Sequence, residues 1–193
     1  AGAAGHLQNI DIDKNLDVIK DSKIFLTQME TPDLTTMYAL KKAKENNCLT
    51  ILNPAPARKI KKEDFSLLDF FTPNETEVEF YLNKKIETKE DIQNAAKEFL
   101  SMGVKNIIIT LGAKGVYFEN KEEKHFIDAL SLKDQVIDTT GAGDAFNGAL
   151  AVALAKDSNY KDAIIFANKV GGISTTRLGA ASSMPLLKEV EEY

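Results

Sequence analysis

Cysteine and histidine are scarce in this sequence. Cys48 stands alone, so no disulfide can form within the chain, and a cytoplasmic setting fits. His6 and His125 lie far apart, and no HExxH or CxxC spacing occurs, so a zinc site is not expected. There is no GxSxG elbow and no Walker-type GxxxxGK(S/T) loop. Any phosphate chemistry must use another device. No apolar run approaches the ~20 residues of a membrane span, and no signal peptide opens the sequence. Excess positive charge is also missing: the formal net charge is −5, which argues against a nucleic-acid surface. The one basic cluster, Arg58, Lys59, Lys61 and Lys62, reads as a solvated loop face.

What is present suits one soluble globular domain over residues 1–193. Apolar residues make up 44% and charged residues 27%, enough for a sizeable core. No internal repeat or linker interrupts the chain. The opening Ala1-Gly2-Ala3-Ala4-Gly5 fits either a flexible tail or a start partway through a longer protein.

Apolar runs at Ile24–Met29, Leu49–Leu52, Asp69–Thr72 and Asn106–Leu111 read as strands. Thr31-Pro32 should open a helix that runs to about Asn46. Thr88 should cap another, with Ile92, Ala95, Ala96, Phe99 and Leu100 on one face and Gly103 as its stop. Gly112 to Gly115 should turn the chain into a short antiparallel pair, Val116–Glu119 and Glu123–Phe126. From Gly143 a helix should bury Phe146, Ala149, Leu150, Ala153 and Leu154. A last long helix, Lys161 to Thr176, should bury Ala163, Ala167 and Val170. Strands alternating with helices predict an α/β fold: a mainly parallel sheet with helices on both faces, a Rossmann-type three-layer arrangement. Ligands in such sheets bind beyond the carboxyl ends of the strands.

Gly141-Ala142-Gly143-Asp144 falls between an extended segment and an amphipathic helix. The first turn of a helix offers unpaired N–H groups and the positive end of its dipole. Small residues let a phosphate approach that backbone. A carboxylate beside such an anion hole suits removal of a proton from an attacking alcohol. On its own, GAGD fits an ordinary glycine-rich turn at least as well.

The longer string Asp138–Leu150, DTTGAGDAFNGAL, closely resembles the C-terminal signature of the ribokinase-like (PfkB) carbohydrate kinase family. Three further stretches resemble family segments in order and spacing. They are Asn53–Arg58 (NPAPAR, typical of the ribokinase branch), Thr72–Glu77 (TPNETE) and Thr110–Gly115 (TLGAKG).

The resemblance implies ATP-dependent phosphorylation of a sugar, D-ribose at its 5-hydroxyl, with Asp144 as base. The N–H groups of Gly141, Ala142 and Gly143 would hold the charge developing on the phosphoryl group. Asn74, Thr110, Leu111, Gly112, Ala113, Lys114 and Gly115, with Gly143 and Asp144, would hold the nucleotide, and Asn168 would lie near the adenine. Glu77 would organise Mg²⁺ through water. Asp138, Thr140, Ser174, Arg177, Gly179 and Ser183 match positions that wrap a monovalent cation, usually K⁺, largely through carbonyls. Glu30 would bond sugar hydroxyls.

The same resemblance implies a longer protein whose first strands, sugar-binding Gly-Gly and Asn segments and dimer-forming lid sheet precede these residues. The chain would then be the C-terminal, nucleotide-binding part of a homodimeric enzyme. It would be a poor kinase alone and would have an exposed or repaired sheet edge. Three alternatives remain: another sugar or nucleoside kinase, a non-catalytic adenine-nucleotide module, and a nicotinamide oxidoreductase. The last is disfavoured because Gly141, Gly143 and Gly148 do not give GxGxxG spacing.

Overall fold

Two short helices that the sequence reading did not anticipate precede the first strand. A computed structural model describes residues 2–132 and 135–193. A 3-10 turn (Gly2–His6) leads into α1 (Asn9–Lys14) and α2 (Leu16–Lys20). Ile12, Leu16 and Ile19 pack with Phe25, Ala43 and Cys48. Helices this short carry too few turns for a hydrophobic period to be read from sequence.

The chain then alternates through β1 (Ile24–Gln28), α3 (Asp33–Glu45), β2 (Leu49–Asn53), β3 (Phe70–Phe71), α4 (Glu75–Leu82), α5 (Lys89–Met102) and β4 (Asn106–Thr110). The hairpin β5 (Val116–Glu119) and β6 (Lys124–Ile127) follows, then α6 (Ala142–Ala155), α7 (Tyr160–Ser174) and α8 (Leu187–Glu191). Two compact units result: Ala1–Leu111 with Tyr117–His125, and Gly112–Val116 with Phe126–Tyr193.

One six-stranded sheet has the order β1-β2-β3-β4-β5-β6. β1 to β4 are parallel neighbours, with Gln28 opposite Asn53 and Leu52 opposite Phe71. The turn from Asn120 to Glu123 joins β5 to β6, closed by the Asn120 N–H to the Glu123 carbonyl. It is too short for a parallel crossover, so those two strands are antiparallel. The α/β class and the mainly parallel sheet read from sequence are therefore present. β1 forms one edge of the sheet.

Local details differ from the sequence reading in two places. α3 starts at Asp33 with Pro32 as its N-cap. Thr31 does not cap the helix, because its hydroxyl meets that of Thr36 at 2.6 Å. β3 is shorter than Asp69–Thr72: the Asp69 N–H turns to Thr50 Oγ1 at 3.0 Å, while its carbonyl still accepts the Asn106 N–H of β4 at 3.0 Å. Thr88 and Gly103 behave as expected, one as an N-cap in a reciprocal capping box and the other as a left-handed stop.

Four rings fill the first unit's core. Phe65, Phe71, Tyr81 and Phe99 come from a 3-10 turn, β3, α4 and α5, and every pair of centroids is 5.1–6.3 Å apart. Edge-to-face contacts of this kind add to the burial of the rings themselves. In the second unit the expected apolar stripe of α6 is buried, as are Ala163, Ala167 and Val170 of α7. The two helices approach closely at Gly171, where a Cβ would lie 3.1 Å from the Ala142 carbonyl oxygen.

At the amino ends of the strands, the buried Asp69 accepts the Thr50 N–H and hydroxyl and pairs with Lys44 and Lys105. Its carbonyl takes Asn106 Nδ2, and Asn106 Oδ1 in turn accepts Asn120 Nδ2. This network ties β2, β4 and the hairpin turn to one residue. Burial acts to raise the Asp69 carboxyl, but bonds from Lys105, Lys44 and the Thr50 N–H outweigh it and hold it below its ordinary value. A depressed value in the folded chain gives stability that is present above the unfolded value of 3.8 and lost as pH falls through the folded one. Asp69→Asn should therefore cost about 2–3 kcal/mol at neutral pH. The gap to the parent should shrink in acid. Urea unfolding at several pH values checks this, and a gap independent of pH would contradict it.

Candidate active site

In the first unit, the candidate segments at Glu30, Asn53–Arg58 and Thr72–Glu77 follow parallel strands that end together, and Thr110 ends the fourth strand. Gln28 ends β1 and Asn53 ends β2; Gln28 Nε2 donates to Asn53 Oδ1 at 3.1 Å, and Asn53 Nδ2 donates to the Thr72 carbonyl at 3.0 Å. A line of side-chain amides thus links three strand ends. Glu30, two residues past β1, is exposed. Asn53 opens NPAPAR, yet motif reading gave it no separate role, and Gln28 was missed. Their position at strand ends was the available signal.

Asn74 follows β3 and bridges to Thr110 at the end of β4, whose N–H donates to the Pro73 carbonyl at 2.9 Å. Asn74, Glu77 and Thr110 are therefore brought together. Asn74 and Glu77 also cap each other: Asn74 Oδ1 accepts the Glu77 N–H at 2.8 Å, and Glu77 Oε2 accepts the Asn74 N–H at 2.9 Å. The three-residue spacing serves this capping box. Glu77 is buried, and that burial raises its carboxyl above the usual range despite the bond from Asn74. At neutral pH this carboxylate is held at a cost, which a nearby cation would reduce. Its position and oxygen chemistry fit Mg²⁺, which keeps much of its own water.

TLGAKG runs from Thr110 through a 3-10 turn at Gly112–Lys114. Gly112, Ala113 and Lys114 are exposed, while Leu111 and Gly115 are buried. Gly115 has φ 94°, and a Cβ there would lie 2.0 Å from the Ile127 carbonyl oxygen, so only glycine fits.

In the second unit, Gly141 is the N-cap of α6 with φ 78°, one residue ahead of the helix. A Cβ there would meet Ala180 Cα at 3.1 Å. The Ala142 N–H closes a turn onto the Thr139 carbonyl at 3.2 Å, which leaves the Gly141 and Gly143 amides as those of the trio outside that bond. A Cβ at Gly143 would meet nothing within 4 Å, so packing does not require glycine there. Gly143 is exposed, as an anion site at a helix start needs. Asp144 lies in the first turn and is exposed. Asn147, buried one turn on, donates to the Gly143 carbonyl at 2.8 Å.

Asp138 organises the loop before this turn. Its Oδ1 accepts the Thr140 N–H at 2.9 Å and its Oδ2 the Gly179 N–H at 3.0 Å. The bond from Gly179, then that from Thr140, holds its carboxyl below the usual range. Ser174 and Ser183 are buried, with hydroxyls donating to the carbonyls of Gly171 and Ala180. The Arg177 side chain turns to Glu189, leaving only its carbonyl for a cation. This set of carboxylate, hydroxyl and carbonyl oxygens has the chemistry of a hard-cation site. Among the described residues, no three His, Cys, Asp or Glu gather as a metal cluster. Asn168 Nδ2 donates to the Asp128 carbonyl at 2.9 Å, which ties α7 to the segment after β6.

The first unit thus offers parallel strands ending in polar amides, and the second offers a glycine turn opening a helix with an acidic residue in its first turn. The model of the pfkB family of carbohydrate kinases matches residues 3–187, and the chain belongs to that family. It is 37% identical over 193 residues to the ribokinase of Haemophilus influenzae, matching the whole of this chain and 62% of that protein. Its structure is similar to ribokinase from Thermotoga maritima, with a TM-score of 0.87 and 41% identity over 98% of this chain and 62% of that one. It is also similar to Arabidopsis thaliana ribokinase complexed with ribose and ATP, with a TM-score of 0.88 and 31% identity over 93% of this chain and 58% of that one. The chain thus spans between 58% and 62% of the length of these relatives.

Two neighbouring glycines should respond in opposite directions. Gly141→Ala should destabilise by about 1–2 kcal/mol, from its left-handed φ alone. Gly143→Ala, in a helical position with room for the methyl, should stabilise by up to about 1 kcal/mol. Thermal unfolding of both variants checks the pair, and equal losses would contradict the assignment.

Proposed function

We propose that this chain carries the nucleotide side of a ribokinase active site, which transfers the γ-phosphoryl group of ATP to the 5-hydroxyl of D-ribose. The observation that carries this reading is Asp144, exposed in the first turn of α6 beside the exposed Gly143.

In this reading the sugar oxygen attacks the γ-phosphorus while the bond to the β,γ-bridging oxygen breaks, and ADP leaves. The hydroxyl proton passes to Asp144. The amides of the Gly141–Gly143 turn stabilise the charge on the phosphoryl oxygens. Asn74 and the segment Thr110–Gly115 position the nucleotide, with Asn168 on the adenine side. Glu77 holds Mg²⁺ through water. Asp138, Thr140, Ser174, Arg177, Gly179 and Ser183 supply oxygen ligands for K⁺, and Glu30 bonds the sugar. The whole chain acts as one kinase part of a cytoplasmic, homodimeric enzyme.

Asp144→Asn keeps the shape of the side chain but cannot take the proton. Ribose-dependent ADP release should fall about 10²–10⁴-fold in this variant. The assay is best made on the chain joined to the upstream region of a ribokinase relative, with other sugars and nucleosides as comparison acceptors. Near-parental turnover by Asp144→Asn would remove the residue from this role. A second reading is a nucleotide-binding module without turnover. It predicts ATP binding in calorimetry with no ADP release.

A further inference from the structure

The loop after α7 touches the anion turn at three places. The Thr175 carbonyl accepts the N–H groups of Ile137 and Asp138, at 2.8 and 3.1 Å. The Gly179 N–H donates to Asp138 Oδ2 at 3.0 Å across 41 residues of sequence. The Ala180 backbone backs onto Gly141, where a Cβ would lie 3.1 Å from Ala180 Cα. The geometry of the turn before Asp144 is therefore set partly by where residues 175–180 are held.

Arg177 sits in the middle of that loop. Its guanidinium meets Glu189 of α8 through Nη2 to Oε1 at 2.5 Å and Nη1 to Oε2 at 3.4 Å. Glu189 Oε2 also accepts the Leu186 N–H at 2.7 Å, so one carboxylate both closes the start of α8 and grips the loop. Its neighbour Val190 is buried, which fixes the short helix in place. Both members of the pair are partly exposed, with side chains 37% and 29% accessible, so its stability contribution is small. A two-bond guanidinium–carboxylate contact instead fixes orientation.

We propose that Glu189 is a positioning residue for phosphoryl transfer, acting through Arg177 and residues 175–180 on the Asp138–Gly143 turn. The proposal rests on the kinase reading above for its consequence, and on the contacts alone for its mechanism. A purely structural tie for the C-terminus would leave the turn unchanged when broken.

Amide hydrogen exchange by NMR on Glu189→Gln separates the two. The Thr140 and Gly179 amides, both bonded to Asp138, should exchange roughly tenfold faster. The charge-reversed double variant, Arg177→Glu with Glu189→Arg, should restore much of the protection. If Glu189→Gln does not fold, Glu189→Asp keeps the charge with a shorter reach and should show the same acceleration in weaker form. Unchanged exchange at both amides in a folded variant overturns the proposal.

In ribose-dependent ADP release, kcat should fall about tenfold in Glu189→Gln with the KM for ribose unchanged. A loss in Asp144→Asn without one in Glu189→Gln would sink this inference and leave the kinase reading standing. No release from the parent chain joined to the upstream region of a ribokinase relative, with accelerated exchange in Glu189→Gln, would uphold the clasp and sink the kinase reading.

Discussion

The second unit depends on the Asp138 carboxylate. One oxygen takes an amide two residues ahead, and the other takes an amide 41 residues ahead. That span joins the turn that opens α6 to the loop that follows α7, beside the bonds from Ile137 and Asp138 to the Thr175 carbonyl and the approach of Ala180 to Gly141. With it, the Gly141 turn is held from behind, and Gly143 is exposed. An anion site needs this combination, because amides that reorganise to meet a charge lose much of the benefit.

The first unit meets a different demand by a comparable route. Parallel strands bring every carboxyl end to one rim, but they do not fix which residues end together. Asp69 and Asn106 set that alignment from the amino ends, and Gln28 and Asn53 link the strands at the other. The Asn74–Glu77 capping box then starts α4 beside the end of β4. Polar side chains here determine register, while the four-ring core beneath supplies bulk burial.

Much of this was legible in the sequence. The strands, the stripes of α5 and α6, the Thr88 cap and the Gly103 stop follow from periodicity and capping chemistry. The glycine turn and Asp144 follow from the same rules together with the motif. Other features required contacts between distant residues. Nothing local tells that Asp69 serves Thr50 and two lysines, that Arg177 turns to Glu189, or that Asn168 reaches the Asp128 carbonyl. The Thr31 cap failed because a second hydroxyl, at Thr36, competed for its side chain. The helices before β1 were missed because five or six residues do not establish a period.

The central claim is that the start of α6 receives a phosphate in this chain. The most direct test follows the amide resonances of Gly141 and Gly143 as Mg²⁺ and ATP are added. The account predicts saturable shifts at both amides, abolished in Gly143→Ala even though that variant is no less stable. Shifts that leave Gly141 and Gly143 untouched while ATP binds elsewhere would contradict it.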